Sequence, residues 1–152
     1  MNLPDRERLI REAAELLAAK YGVPIALIDA RLGHVTVPSD VFTRDLAPFE
    51  TIVKYLRETL ALRPAEIARL TGRDPRAIGV TYRRACVKVP GPLPRGISKD
   101  AFPVGMLKDR SLSVLEHLVV YLRRSESLAE IGRSIKRDPR TIGTIARRAA
   151  RK

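Results

Sequence analysis

The segment RDPRAIGVTYRRA at residues 73–85 recurs sixty-four residues later as RDPRTIGTIARRA at 137–149, with nine of thirteen positions identical. A chain of 152 residues that copies itself once at this spacing has few architectures open to it. Two copies are too few for a solenoid, so each must close its own small core. The likeness extends backwards: VKYLRETLALRPAEIARLTG (53–72) matches VVYLRRSESLAEIGRSIK (119–136) through YLR and AEI, with a loop two residues shorter in the second copy. Further back, VPSDVF (37–42) answers ISKDAF (97–102), with about six extra residues, VGMLKD, after the second. Each repeat is then some fifty residues, the size of a trihelical domain.

Leu46, Phe49, Ile52, Val53, Leu56 and Leu60 recur at helical spacing, which predicts a first helix over 46–60. Leu112, Leu115, Leu118, Val119 and Leu122 repeat the pattern. Pro64, tolerated in a first helical turn, opens a second helix that buries Ile67, Ala68 and Leu70 before Gly72 stops it; its counterpart runs from Leu128 through Ile131 to Ile135. Asp74 before Pro75, and Asp138 before Pro139, pair an N-cap carboxylate with a proline at the first helical position. A third helix must begin at each site. Its inner stripe is Ile78, Tyr82 and Ala85, or Ile142, Ala146 and Ala149 in the copy. Cys86 reads as a small buried hydrophobe at the helix end.

A short helix, a tight turn and a capped helix with a basic outer face make a helix-turn-helix. The stretch LRPAEIARLTGRDPRAIGVTYRRA, with small Ala68 at the helix crossing, Gly72 at the turn and Ile78 as anchor, resembles the helix-turn-helix DNA-binding superfamily. Within it, the fourth region of bacterial sigma factors and the related short prokaryotic regulators are similar to residues 46–88 and 112–152. The resemblance implies that the third helix of each repeat lies in a DNA major groove. In the second copy Gly132 replaces the alanine and Lys136 the turn glycine, so that turn must adapt.

On that reading Arg76 and Arg140 sit where groove-reading side chains sit, while Arg83, Arg84, Lys88, Arg147 and Arg148 suit phosphates, as do Arg73 and Arg137 in the turns. Thr141 and Thr144 are suited to base edges, and Ala77 and Val80 at best to a thymine methyl. The base-reading set is thin, and binding dominated by backbone contacts is expected.

The charge agrees. The net charge is +12, and residues 1–36 contribute nothing to it, 37–96 contribute +5 and 97–152 contribute +7. Fixed positive charge confined to the repeats calls for a polyanionic partner. No apolar run reaches the roughly 18 residues of a membrane span, and the start MNLPDRERLI has no basic-then-apolar leader, so a cytoplasmic (nucleoid) location is expected. One cysteine excludes an internal disulfide. Cys86, His34 and His117 have no metal-ligand spacing, and there is no phosphate loop or catalytic arrangement, so neither enzyme activity nor a metal or cofactor is expected.

The expected fold class is all-α: two tandem trihelical helix-turn-helix domains, at 37–88 and 97–152, joined by a proline-rich linker at 89–96 and preceded by an N-terminal helical segment at 1–36. In that segment REAAELLAAKYG (11–22) is an amphipathic helix and VPIALIDARLG (23–33) a second, ended by Gly33; the pair serves packing or homodimerisation. The alternate prolines of KVPGPLPRG (88–96) make a stiff spacer of roughly 30 Å, which would let the repeats dock in major grooves one turn apart on one duplex or bridge two. The expected function is a double-stranded DNA-binding protein, a transcription regulator or a nucleoid-associated architectural protein. The alternative is a sigma-like adaptor that binds RNA polymerase.

Overall fold

Prolines, aspartate caps and serine capping boxes set where the helices of the repeats begin. The computed structural model describes residues 3–23, 35–94, 96 and 100–152. The chain divides into two units, Met1–Thr36 and Val37–Lys152. In the first, α1 (Leu3–Tyr21) starts well ahead of the alanine-rich stretch that signals it, with Asp5 in its first turn and Lys20 in its last to match the helix dipole. Leu9, Leu16, Leu17 and Tyr21 are exposed along it. The second helix expected here lies, from residue 24 on, outside the described residues.

The first repeat runs β1 (Thr36–Pro38), a 3-10 turn Ser39–Val41, α2 (Pro48–Glu58), α3 (Pro64–Thr71) and α4 (Pro75–Lys88). The second runs β2 (Ala101–Pro103), a 3-10 turn Val104–Lys108, α5 (Val114–Leu122), α6 (Leu128–Ser134) and α7 (Pro139–Ala150). The fold is mainly α-helical. It carries one small sheet that the all-α expectation lacked, in which β1 pairs with β2. No helix among the described residues is long and apolar enough to cross a membrane.

The caps explain the starts. Asp74 and Asp138 each accept the N–H of the residue two further on, Arg76 and Arg140, at 2.7 Å. Ser113 and Ser127 form complete capping boxes with Glu116 and Glu130, hydroxyl to backbone N–H at 3.2 Å and carboxylate to backbone N–H at 2.9 Å. Ala47 and Arg63 have no hydroxyl, so only the return bonds from their N–H groups to Glu50 and Glu66 remain. Gly72 ends α3 at φ 66°, as its position requires. In the second repeat Lys136 adopts φ 56° in its place. There Gly132 is obligatory, because a Cβ would lie 2.7 Å from the Arg137 carbonyl oxygen.

Each repeat packs its third helix against its first two, around Ile52, Leu56, Ile67 and Ile78 in one and Leu118, Leu122, Ile131 and Ile142 in the other. Leu70, expected inside, is only half-buried; Thr71 is buried instead, its hydroxyl donating to Ile67 O at 2.8 Å. Ile145, which the shared stripe omits because its counterpart is Thr81, is buried.

The structure also realigns the start of the repeats. In each, a strand ending in proline (Pro38, Pro103) leads into a 3-10 turn and then the first helix, so SDVF (39–42) is matched by VGML (104–107), not by ISKDAF. The apparent insertion VGMLKD is the second copy's own 3-10 turn. Val41 and Phe42 are buried in the first copy, and Val104 and Leu107 in the second.

The two repeats are not separate domains on a spacer. Residues 37–152 form one unit, in which α2 contacts α5 and α3 packs on the 104–108 turn. The Ser39 N–H extends the strand pair by donating to Asp100 O at 2.9 Å. With the 104–108 turn packed on α3 and Lys136 bonded to the Phe42 carbonyl, the reach of the proline-rich stretch does not set the distance between the copies.

Candidate nucleic-acid interface

The inner face of α4 is Ile78 and Ala85, fully buried, with Tyr82 half-buried between them. Tyr82 Oη donates to Glu58 Oε2 at 2.9 Å, and the same oxygen accepts from Lys54 Nζ at 2.9 Å. Cys86 Sγ lies 3.9 Å from it. Hydrogen bonding with Cys86 and Glu58 pushes the Tyr82 ionisation above its ordinary range, so the phenol stays neutral and structural. The Arg57 guanidinium covers the ring at 5.3 Å. Of this hub the second repeat keeps only the arginine, as Arg123; Val120, Arg124, Ala146 and Ala150 stand where Lys54, Glu58, Tyr82 and Cys86 do.

With the inner face fixed, 3.6 residues per turn decide what points out. Arg76, Ala77, Val80, Arg83 and Arg84 are exposed on α4, and Arg140, Thr141, Arg147 and Arg148 on α7. Thr144 is half-buried; its hydroxyl donates to Arg140 O at 3.1 Å and accepts from Arg147 Nη2 at 3.4 Å. Val87, seven residues beyond Val80 on the same helix face, is 81% exposed. Extending the outward spacing by one more pair of turns would have included it, and with it Arg151 in the copy.

Three expected phosphate ligands are occupied elsewhere. Arg73 Nη1 donates to Thr71 O and to Leu107 O of the other repeat, both at 2.8 Å, and its guanidinium stacks on Phe49 at 5.2 Å. Partial burial, and after it the charge of Arg110, lowers its pKa from the ordinary value. Arg137 makes the reciprocal contact, Nη1 to Thr43 O at 2.9 Å and Nη2 to Leu46 O at 3.0 Å, beside a bond from Lys136 Nζ to Phe42 O at 2.8 Å. The turns face the neighbouring repeat, where unpaired carbonyls attract these donors. Contacts in which each copy grips the same segment of the other are those of an approximate two-fold axis. Lys88 is the third: its ammonium reaches Glu50 Oε1 at 2.6 Å, as Lys152 reaches Glu116 Oε2 at 2.9 Å. The end of each third helix packs over the start of the first helix, and its lysine meets the glutamate there.

Lys54, Lys88 and Lys152 are thus neutralised by Glu58, Glu50 and Glu116 inside the unit. Arg76, Arg83, Arg84, Arg140, Arg147 and Arg148 form no ion pair with a described residue. The outcome is two two-fold-related helices, each with three guanidinium groups in the same places that lack an ion-pair partner among the described residues. Comparison of the chain with protein-family models, with curated proteins and with solved structures finds no match.

Proposed function

We propose that this chain is a non-enzymatic double-stranded DNA-binding protein that carries within one polypeptide the paired recognition helices that such proteins usually obtain by dimerising. The observation that carries the reading is the matched set of arginines without an ion-pair partner among the described residues on the outer faces of α4 and α7, while Arg73, Lys88 and Arg137 are held by internal contacts. Guanidinium groups without a carboxylate partner, on a protein of net charge +12, exchange hydration and counterions for phosphate at low cost. The capped helix starts put Arg76 and Arg140 at the end that enters a major groove first, with Arg83, Arg84, Arg147 and Arg148 a further two turns along for the backbone. The packing of the repeats into one unit supports docking of both helices on one duplex.

The test is fluorescence anisotropy with a labelled duplex, purified protein and no polymerase, at about 50 and 200 mM salt. Four phosphate contacts give a slope near −4 in log K against log salt, a loss of about 10²-fold over that range. A footprint of about 20 base pairs from one monomer is expected for two helices one turn apart. A flat salt response, a preference for single strands, or binding only in the presence of RNA polymerase would overturn the proposal. Selection of a defined sequence makes the protein a regulator; uniform binding makes it a nucleoid-associated architectural protein.

A further inference from the structure

The two-fold arrangement is carried by the backbone and the arginines, but the side chains between those arginines differ. Arg76, Arg83 and Arg84 have exact counterparts in Arg140, Arg147 and Arg148. Ala77, Val80 and Val87 correspond to Thr141, Thr144 and Arg151. These three positions of α4 are exposed, so no packing demand accounts for their apolar character. Val80 is 38% exposed and Val87 81% exposed.

The first repeat therefore presents an apolar outer strip bordered by guanidinium groups. The second presents hydroxyls bordered by the same groups. Of the hydroxyls, that of Thr144 is tied to the Arg140 carbonyl and helps hold Arg147, which leaves Thr141 as the one free to meet a base edge. Apolar side chains in a major groove favour the thymine methyl, and a hydroxyl pairs with the donors and acceptors of any base. Equal phosphate contacts with unlike base contacts bind both half-sites but read them differently.

Building on the DNA-binding proposal, we infer that the protein recognises a directional, non-palindromic duplex site, in which α4 takes a thymine-bearing half and α7 a half read through Thr141. Ala77, Val80 and Thr141 are the specificity-determining residues. A symmetric homodimer of one repeat cannot do this, whereas two diverged repeats in one chain can.

Selection from a random duplex pool with the full chain tests the inference. The expected motif has two unlike halves, with thymine enriched in one. An altered base pair in either half lowers affinity about tenfold. Two surface variants, each checked for native helicity by circular dichroism, convert the readout. A77T/V80T should select an inverted repeat of the half read by α7, and T141A/T144V an inverted repeat of the half read by α4. A palindrome selected by the unaltered protein, or tight duplex binding with no motif, overturns the inference while leaving DNA binding in place. Absence of duplex binding removes the proposal beneath it. Variants that fold natively but keep the parent's motif would show that these positions do not read bases.

Discussion

Replacing Arg137 by alanine tests whether the repeats are held as one unit by their turns. The substitution removes two bonds across the repeat interface, to Thr43 O at 2.9 Å and Leu46 O at 3.0 Å, and a weaker one to Lys136 O at 3.3 Å. A hydrogen bond from a charged donor contributes about 1.5–3 kcal/mol when buried; Arg137 is half-exposed, so about 1 kcal/mol for each inter-repeat bond is the reasonable scale. With the lost packing of its aliphatic stem the total comes to about 2–3 kcal/mol. For the unit Val37–Lys152, at an unfolding entropy of about 2 cal/mol/K per residue, this lowers Tm by about 8–12 °C. The opposing effect has the opposite sign, since deleting a cation from a chain of net charge +12 relieves repulsion and stabilises it. Melting followed by circular dichroism at about 0.5 M salt separates the two, because that salt screens the repulsion and leaves the carbonyl bonds intact. Arg137→Lys keeps the charge but has no fork to span two carbonyls, and should recover less than half of the loss. A variant that melts within about 2 °C of the parent, or above it, would refute the account of the turns as inter-repeat braces.

Asp74→Ala and Asp138→Ala should each cost about 1 kcal/mol in urea unfolding, the ordinary worth of an N-cap; a loss under about 0.3 kcal/mol at both would contradict the capping role. Ala61 sits at φ 55°, so Ala61→Gly should stabilise by about 1 kcal/mol, and Gly72→Ala, at φ 66°, should destabilise by a similar amount. Gly79→Ala should raise Tm, because an added Cβ meets only Arg83 Nη1 at 3.6 Å and the helix gains about 1 kcal/mol of propensity; a lower Tm would mean a clash not accounted for. Glu116 is held below its ordinary pKa of 4.5, chiefly by the Lys152 ammonium and then by the Ser113 N–H. A depressed acid contributes stability that is complete above pH 4.5 and is lost as pH falls through the folded-state value, so Glu116→Gln should be less stable at pH 7 yet lose less on acidification. Parallel pH profiles for the two proteins would show that the Lys152 contact is not the cause.

Much of the architecture was legible in the chain. The spacing of Ile52, Leu56, Ile67 and Ile78, the Pro64 and Pro75 starts, the Gly72 stop and the Asp caps are local signals, and each acts within a turn or two of where it is written. Which side of α4 and α7 faces out followed from the same periodicity, and so did most of the candidate site. The sequence also determined that the positive charge lies in the repeats, since a sum over residues needs no coordinates.

The tertiary structure decided where individual charges go. Arg73 and Arg76 are both arginines near the start of one helix, yet the first donates to a carbonyl 34 residues away while the second has no partner ion. Arg137 finds acceptors more than 90 residues back, and Lys88 finds its acid 38 residues back. The three-residue strands and the 3-10 turns are too short to carry a period of their own, and only their place in the fold shows which segments correspond. The reason is common to all of these. Helix periodicity and capping are interactions between near neighbours in sequence, so the sequence displays them; the fate of a long cationic side chain depends on which distant backbone or carboxylate the folded chain brings within about 3 Å, and only packing determines that.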